Sequence, residues 1–303
     1  MTHAAVFSRL AWAAAILAFL QISLGGAVRV SGSGLGCPDW PLCQGRLLPP
    51  FETHALVEYS HRLVGSLTGL AIVATVAMAW AWYGRSRPLV AWLASGAVLA
   101  VVLEGVLGGV VVLRDLASWL VVLHMALALV ILGLLVATAV AASPSSAPGS
   151  HPGRRRLAAA AALTFLLILT GSSVVASGAD HLCRSWPLCG GGGAADFSGA
   201  AAFVMLHRLG TGLVGLVVVA VLAEQALHAN GGRRTAAVLT LLAFLAQVVV
   251  GAGSALTGTA LFNGLHVALA TAVWSGLVAC WALAGGVPAA QPRRLVELKE
   301  VRA

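Results

Sequence analysis

Along most of this chain apolar residues run on without interruption, for lengths near the roughly 20 residues that a membrane-spanning helix needs. Short clusters of Gly, Pro and charge separate the runs. Eight of them can be marked, approximately over residues 9–30, 56–83, 88–113, 118–142, 156–177, 201–229, 235–256 and 262–285. Between them only two loops are long enough to hold structure, residues 31–55 and 178–200. The first run is longer than the roughly 7–15 apolar residues of a signal peptide and shows no small-residue cleavage site, so it is counted as a span. The pattern predicts an all-α integral membrane protein with eight transmembrane helices.

Composition points the same way. Of 303 residues, 59% are hydrophobic and 9% charged, against roughly 25% charged in a soluble domain. So much apolar surface cannot be hidden in a water-soluble core of this size. The formal charge is +8, and 17 of the 18 basic residues are arginine. Such a balance could suggest nucleic acid, but basic membrane proteins reach it by charging their cytoplasmic loops, and nucleic acid is set aside. Twelve of the 18 bases, among them Arg9, Arg85, Arg87, Arg154, Arg155, Arg156, Arg233, Arg234 and Lys299, precede the first span, follow the last, or lie in loops after even-numbered spans. The positive-inside rule then predicts both termini in the cytoplasm and the two long loops on the outer face of the plasma membrane.

The chain also repeats itself. Cys37-Pro-Asp-Trp-Pro-Leu-Cys43 is followed by Glu58-Tyr-Ser-His61-Arg62-Leu63, and Cys183-Arg-Ser-Trp-Pro-Leu-Cys189 by Val204-Met-Leu-His207-Arg208-Leu209. A shift of 146 residues superimposes Cys37 on Cys183, Trp40 on Trp186, Cys43 on Cys189 and His61 on His207 without a gap. At slightly different offsets Glu104 matches Gln247, and His124 matches His266. Residues 1–142 and 156–303 therefore form two four-helix bundles, joined by a Pro/Ser/Gly-rich cytoplasmic linker at 143–155. Four spans per copy make both copies start on the same side, so a pseudo-two-fold axis along the membrane normal is expected.

His61, His124, His207 and His266 all fall near the outer ends of even-numbered spans, two per half. A lone histidine at such a depth is ordinarily a packing residue, but four in two matched pairs point to ligation, because ionisable groups within spans are costly and imidazole is the most frequent metal ligand. Two imidazoles on facing helices suit the axial positions of a haem, an apolar disc that fits between helices. A bare zinc ion would want four ligands, or three and a water. Quinol binding and proton relay are the remaining roles. Gly65, Gly69, Gly105, Gly108, Gly109, Gly210, Gly212 and Gly215 either bring helices close or leave room for a flat ligand. Arg62 and Arg208 either pair with haem propionates or extend to lipid headgroups.

Each long loop carries two cysteines with five residues between them, Cys37/Cys43 and Cys183/Cys189. In an oxidising compartment they read as disulfides. The second pair reads as a staple; the first is either a staple or a redox pair exchanging with a thiol–disulfide partner. Cys280 reads as a small apolar filler. The halves differ at one telling place: Glu58 lies one turn before His61 on the same helical face, and its counterpart is Val204. A carboxylate beside a cofactor can take a proton or stabilise a developing cation, so the first half is expected to do chemistry and the second to hold a fixed cofactor. Glu104 either conducts protons or bonds a neighbouring helix. Asp39, Glu52, His54, Asp115, Asp180 and His181 are expected in solvated loops.

Taken together, the eight spans, the duplicated halves, Glu58-x-x-His61-Arg62, His124, His207-Arg208, His266 and the paired cysteines resemble haem A synthase, the membrane oxidoreductase of cytochrome oxidase assembly. The resemblance covers nearly the whole chain. It implies oxidation of the C8 methyl of haem o to a formyl group, giving haem a. It further implies a permanent haem b on His207 and His266, a substrate haem site flanked by His61 and His124, and Glu58 assisting the oxidation. The implied partners are lipid, haem o and haem a, an electron donor and the haem o synthase. Two histidines on the substrate iron would close the positions that dioxygen needs, so the resemblance implies that one dissociates or that the oxidant arises elsewhere. Three other functions compete: a di-haem cytochrome b carrying electrons from quinol, a membrane thiol oxidoreductase, and a transporter of parallel repeats. The first leaves Glu58 and the cysteines unexplained, the second leaves the histidines idle, and the third would want a polar site at the midplane.

Overall fold

The computed structural model describes residues 2–143, 153–189 and 197–285. Eight long helices account for most of them: α1 (His3–Val30), α2 (Thr53–Tyr83), α3 (Pro88–Leu113), α4 (Ser118–Ala142), α5 (Arg154–Ala176), α6 (Ala201–His228), α7 (Gly231–Thr257) and α8 (Ala260–Ala284). All eight are long and apolar enough to cross a membrane. Even the shortest, with 23 residues, reaches about 35 Å at 1.5 Å per residue, beyond the roughly 30 Å hydrocarbon layer. Among the described residues there is no strand, only one bridge between Cys43 and Arg46.

Each expected span is found, and several helices begin earlier than the apolar runs. α1 starts at His3 rather than near residue 9, because Thr2 caps it: its hydroxyl accepts the Ala5 N–H at 3.4 Å. Arg9 therefore lies inside the helix. α8 starts on Thr259, whose side chain accepts the Phe262 N–H. α3 opens on Pro88, which has no N–H to leave unsatisfied in the first turn. α7 stops at Gly258, in the left-handed conformation at φ 61°. The linker expected at 143–155 lies mostly outside the described residues, as do Arg293, Arg294, Lys299 and Arg302; α5 itself begins at Arg154.

Within the first half α1 packs on α2, α2 on α3, α3 on α4, and α4 on α1. Helices α5 to α8 repeat that ring pair by pair. The halves meet through α1 against α8, α4 against α5, and α4 against α8. Small residues let them approach: Gly26 lies under Val267 and Gly133 under Trp274. The Trp274 indole N–H donates across the seam to the Leu129 carbonyl at 3.0 Å.

The end of the seam beside the cysteine loops has a different fastening. The last carbonyls of α5 have no partner within their own helix. Arg29 of α1 donates to Val175 O at 2.8 Å, and Ser118 of α4 donates to Ala176 O at 2.6 Å. A cation at a helix C-terminus is also favoured by the helix dipole. Leucine and valine side chains such as Leu213, Leu216 and Val249 are exposed on the outside of the bundle, the surface that lipid would cover.

Candidate functional site

All four histidines sit within the first turns of their helices. His124, His207 and His266 each lie six residues past the first residue of α4, α6 and α8, about 9 Å down the axis at 1.5 Å per residue. His61 lies eight residues into α2, about 12 Å down. The even helices all run in one direction, so the four imidazoles share one end of the protein.

A repeated device holds each ring. Opposite every imidazole, on the preceding helix, is a glycine whose missing Cβ leaves a notch. A Cβ on Gly25 would stand 3.0 Å from Cε1 of His61, and one on Gly171 would stand 2.8 Å from Cε1 of His207. For Gly108 against His124 and Gly251 against His266 the distances are 3.1 and 2.8 Å. Gly25 and Gly171 are related by the same 146-residue shift as their histidines. Any side chain at these positions would drive the ring away.

The ring nitrogens have partners that differ between halves. In the second half Thr170, next to Gly171, lies 2.9 Å from Nδ1 of His207. Gln247 Nε2 lies 3.4 Å from Nε2 of His266, whose Nδ1 is buried without a hydrogen-bond partner. In the first half Gln21 Nε2 lies 3.3 Å from Nε2 of His61, in space left by Gly65. Glu104 Oε1 lies 3.0 Å from Nδ1 of His124, at ion-pair distance but outside hydrogen-bond geometry.

The rings of His207 and His266 have their centres 6.4 Å apart and stand at 83° to each other. With metal–nitrogen bonds of about 2 Å, two rings at this separation are close enough to share one metal ion. Among the described residues no three His, Cys, Asp or Glu side chains converge, so a metal here would draw its other ligands from outside the protein. A porphyrin supplies four in one plane, and the donor set fits a haem iron.

Above the histidines lie the two cysteine loops, and both pairs are disulfides, with Cα separations of 4.5 Å for Cys37–Cys43 and 5.4 Å for Cys183–Cys189. Each loop is clamped by the arginine that follows a histidine. Arg62 donates to the carbonyls of Asp39 (2.8 Å), Leu42 (2.7 Å) and Cys37 (2.7 Å), and to Glu58 Oε1 (2.6 Å). Four of its five N–H groups are thereby committed. Arg208 makes the matching clamp to the carbonyls of Ser185 (2.7 Å) and Cys183 (3.3 Å), and its Nη1 lies 3.1 Å from Cys183 Sγ.

Glu58 belongs to the first clamp. It is buried, and besides Arg62 it accepts the Cys37 N–H at 2.8 Å. Its counterpart Val204 offers nothing of the kind, and in that half the Cys189 N–H points at Met205 sulfur, 3.2 Å away. Asp39, expected to be simply solvated, ties the first loop by accepting the N–H groups of Gln44 (2.6 Å) and Gly45 (2.7 Å). The Gly45 N–H above all, with those of Gln44 and Asp39 and the Arg62 charge, outweighs desolvation and holds its carboxyl below the ordinary 3.8. His54, also expected in a loop, sits in the first turn of α2 with Nδ1 2.9 Å from the buried Ser33 hydroxyl. The Trp40 indole of the same loop lies over Gly109, beside Gly108.

The pattern in the sequence missed Gln21, Gly25, Thr170, Gly171 and Gly251. For the glycines a signal existed, since Gly25 and Gly171 keep the repeat's register and Gly108 and Gly251 keep that of Glu104 and Gln247. Gln21 and Thr170 have no counterpart to reveal them.

A family model described as cytochrome oxidase assembly protein matches residues 8–278. The chain belongs to that family. Among curated relatives, heme A synthase of Symbiobacterium thermophilum is 34% identical over 277 residues, spanning 85% of this chain and 89% of the relative. Heme A synthase of Geobacillus kaustophilus is 31% identical over 255 residues, 79% of each chain, and that of Halalkalibacterium halodurans is 28% identical over 265 residues, 82% and 87%. The matched range of the cytochrome oxidase assembly family contains all four histidines, their glycines and both disulfide loops.

Proposed function

We propose that this protein is a haem A synthase, an oxidoreductase of the plasma membrane that converts haem o to haem a by oxidising the C8 methyl group to a formyl group. The observation that carries the assignment of sites is the pair His207 and His266, whose ring centres stand 6.4 Å apart, close enough that both would hold one haem iron. In this reading those two residues hold haem b. When bound, haem b supplies one-electron chemistry. His61 and His124 flank the substrate, haem o. The two halves stand side by side about a pseudo-two-fold axis along the membrane normal, with the termini cytoplasmic and the disulfide loops outside, in keeping with the distribution of arginine.

The residues around the sites divide the labour. The glycine notches and Thr170 fix where each imidazole can go. Gln21 gives the His61 ring a polar neighbour at 3.3 Å, which would orient it beside the substrate. Glu58 acts through the loop it holds: both of its oxygens are engaged, so a proton transfer to substrate would first detach it from Cys37 or Arg62. In this account it is a positioning residue. Arg62 has one N–H left for a propionate, and Arg208 keeps more.

The test is the haem content of protein purified from a host that makes haem o. Acid-solvent extraction should give haem b together with haem o or haem a. His207→Ala and His266→Ala should remove haem b selectively. Haem b alone in the unaltered protein would overturn the synthase reading in favour of an electron-carrying di-haem cytochrome.

A further inference from the structure

The duplication sets up a comparison around the second histidine of each half. On α3, Glu104 and Gly108 are one turn apart and both meet His124; on α7, Gln247 and Gly251 are one turn apart and both meet His266. The register is the same, but a carboxylate in one copy is a carboxamide in the other. The atoms that approach differ as well. Glu104 Oε1 lies 3.0 Å from Nδ1 of His124, at ion-pair distance but outside hydrogen-bond geometry, whereas Gln247 approaches Nε2 of His266, and neither Nδ1 has a hydrogen-bond partner. Glu104 is mostly buried, with 14% of its side chain exposed, and its Oε2 has no hydrogen-bond partner. No arginine or lysine forms an ion pair with it among the described residues.

We infer that Glu104 is a further positioning residue of the substrate site: its carboxylate draws the proton of His124 to Nδ1, leaves Nε2 for the substrate iron, and makes His124 a stronger electron donor than His266. This rests on the assignment of the two haem sites above. A carboxylate can only accept a hydrogen bond, so once a small turn of the side chain aligns the 3.0 Å contact, Nδ1 must carry the hydrogen. A carboxamide donates as well as accepts and leaves the tautomer open. A carboxylate behind a ligating imidazole raises its basicity and steadies its orientation, and in a buried site the effect is not diluted by water. The richer donor favours the oxidised iron. Donation from an axial ligand is one of the means by which a protein turns a haem from electron transfer towards oxygen chemistry. Gln247 keeps the other site neutral, as suits a fixed carrier. The same pair of helix positions thus separates the two haems chemically.

The experiment uses the holoprotein with both haems bound and reads the midpoint potential of each haem by spectroelectrochemistry, with low-temperature electron paramagnetic resonance to report ligand geometry. Glu104→Gln should raise the potential of the substrate-site haem and leave that of haem b in place. The reciprocal Gln247→Glu should lower the potential of haem b and leave the other in place. Both haems retained in Glu104→Gln with neither potential moved would overturn the inference, and so would an equal shift of both. If Glu104→Gln fails to retain the substrate haem, Gln247→Glu decides alone: a lowered haem b potential upholds the inference and an unchanged one overturns it. Failure of the underlying reading looks different, since it appears in the unaltered protein as one haem per chain, or in His61→Ala as two haems undisturbed.

Discussion

Replacing Gly171 by alanine adds a single methyl group, yet it should expel haem b. The added Cβ would stand 2.8 Å from Cε1 of His207 and 3.3 Å from both ring nitrogens, whereas ordinary contact begins at 3.4 Å. The imidazole must therefore retreat by about 0.6 Å, three times the roughly 0.2 Å within which metal–ligand distances are held. The retreat also strains the contact between Thr170 and Nδ1, now 2.9 Å. Losing one such outer partner typically costs 10–100-fold in metal affinity, and a displaced ligand adds to that, so haem b affinity should fall by about 100-fold or more. Titrating the haem-depleted protein with haem b and following the low-spin absorption bands measures the loss. Gly212→Ala is the control, because nothing lies within 4 Å of its added Cβ. Full haem b affinity with an unchanged low-spin spectrum in Gly171→Ala would refute the claim that the glycine notch sets the ligand position.

Other expectations follow from the loops and the seam. Glu58→Gln keeps the shape but removes the charge from the bond to Arg62, which at about 1.5–3 kcal/mol for hydrogen bonds to charged groups should loosen the first loop; faster reduction and alkylation of Cys37 and Cys43, with the second pair unaffected, would register it. Arg29→Ala should weaken the contact between halves by about 1 kcal/mol, the scale of a cation at a helix C-terminus, seen as a lower midpoint of thermal unfolding in detergent; an unchanged midpoint would refute a role for the cap. Asp39 has a depressed folded-state value, so its contribution to the first loop is complete above pH 3.8 and fades as pH falls through that lower value. Asp39→Asn should remove this acid sensitivity of loop protection, read by hydrogen exchange at the Gln44 and Gly45 amides, and equal acid sensitivity in the variant would contradict it.

How much of this was legible in the sequence depended on the kind of contact involved. The eight spans stand out because lipid demands long apolar runs, and Cys37, Trp40, Cys43 and His61 could be matched to their copies because a duplication keeps its register. The histidines were visible as ionisable groups out of place. Rotation about each helix axis was not, because helices that are apolar all round carry no stripe to say which face meets which neighbour. Gly25 and Gly171 therefore looked like any other membrane glycine until the rings of His61 and His207 were found in their notches. Glu58 was read from helical spacing, which placed it on the same face as His61 but could not show the Cys37 N–H descending from the loop to meet it. Arg62 was read as a partner of haem propionates or lipid headgroups for the same reason: its carbonyl partners lie 20 to 25 residues earlier in the chain.

The most direct test of the central claim is to express the chain in a host that makes haem o but has no haem A synthase of its own, and to analyse the extracted haems by chromatography and mass. The account predicts formyl-bearing haem a in those membranes, and none when His61→Ala or His124→Ala replaces the unaltered chain. Stable membrane-inserted protein that carries haem b and leaves haem o unconverted under aerobic growth would contradict it.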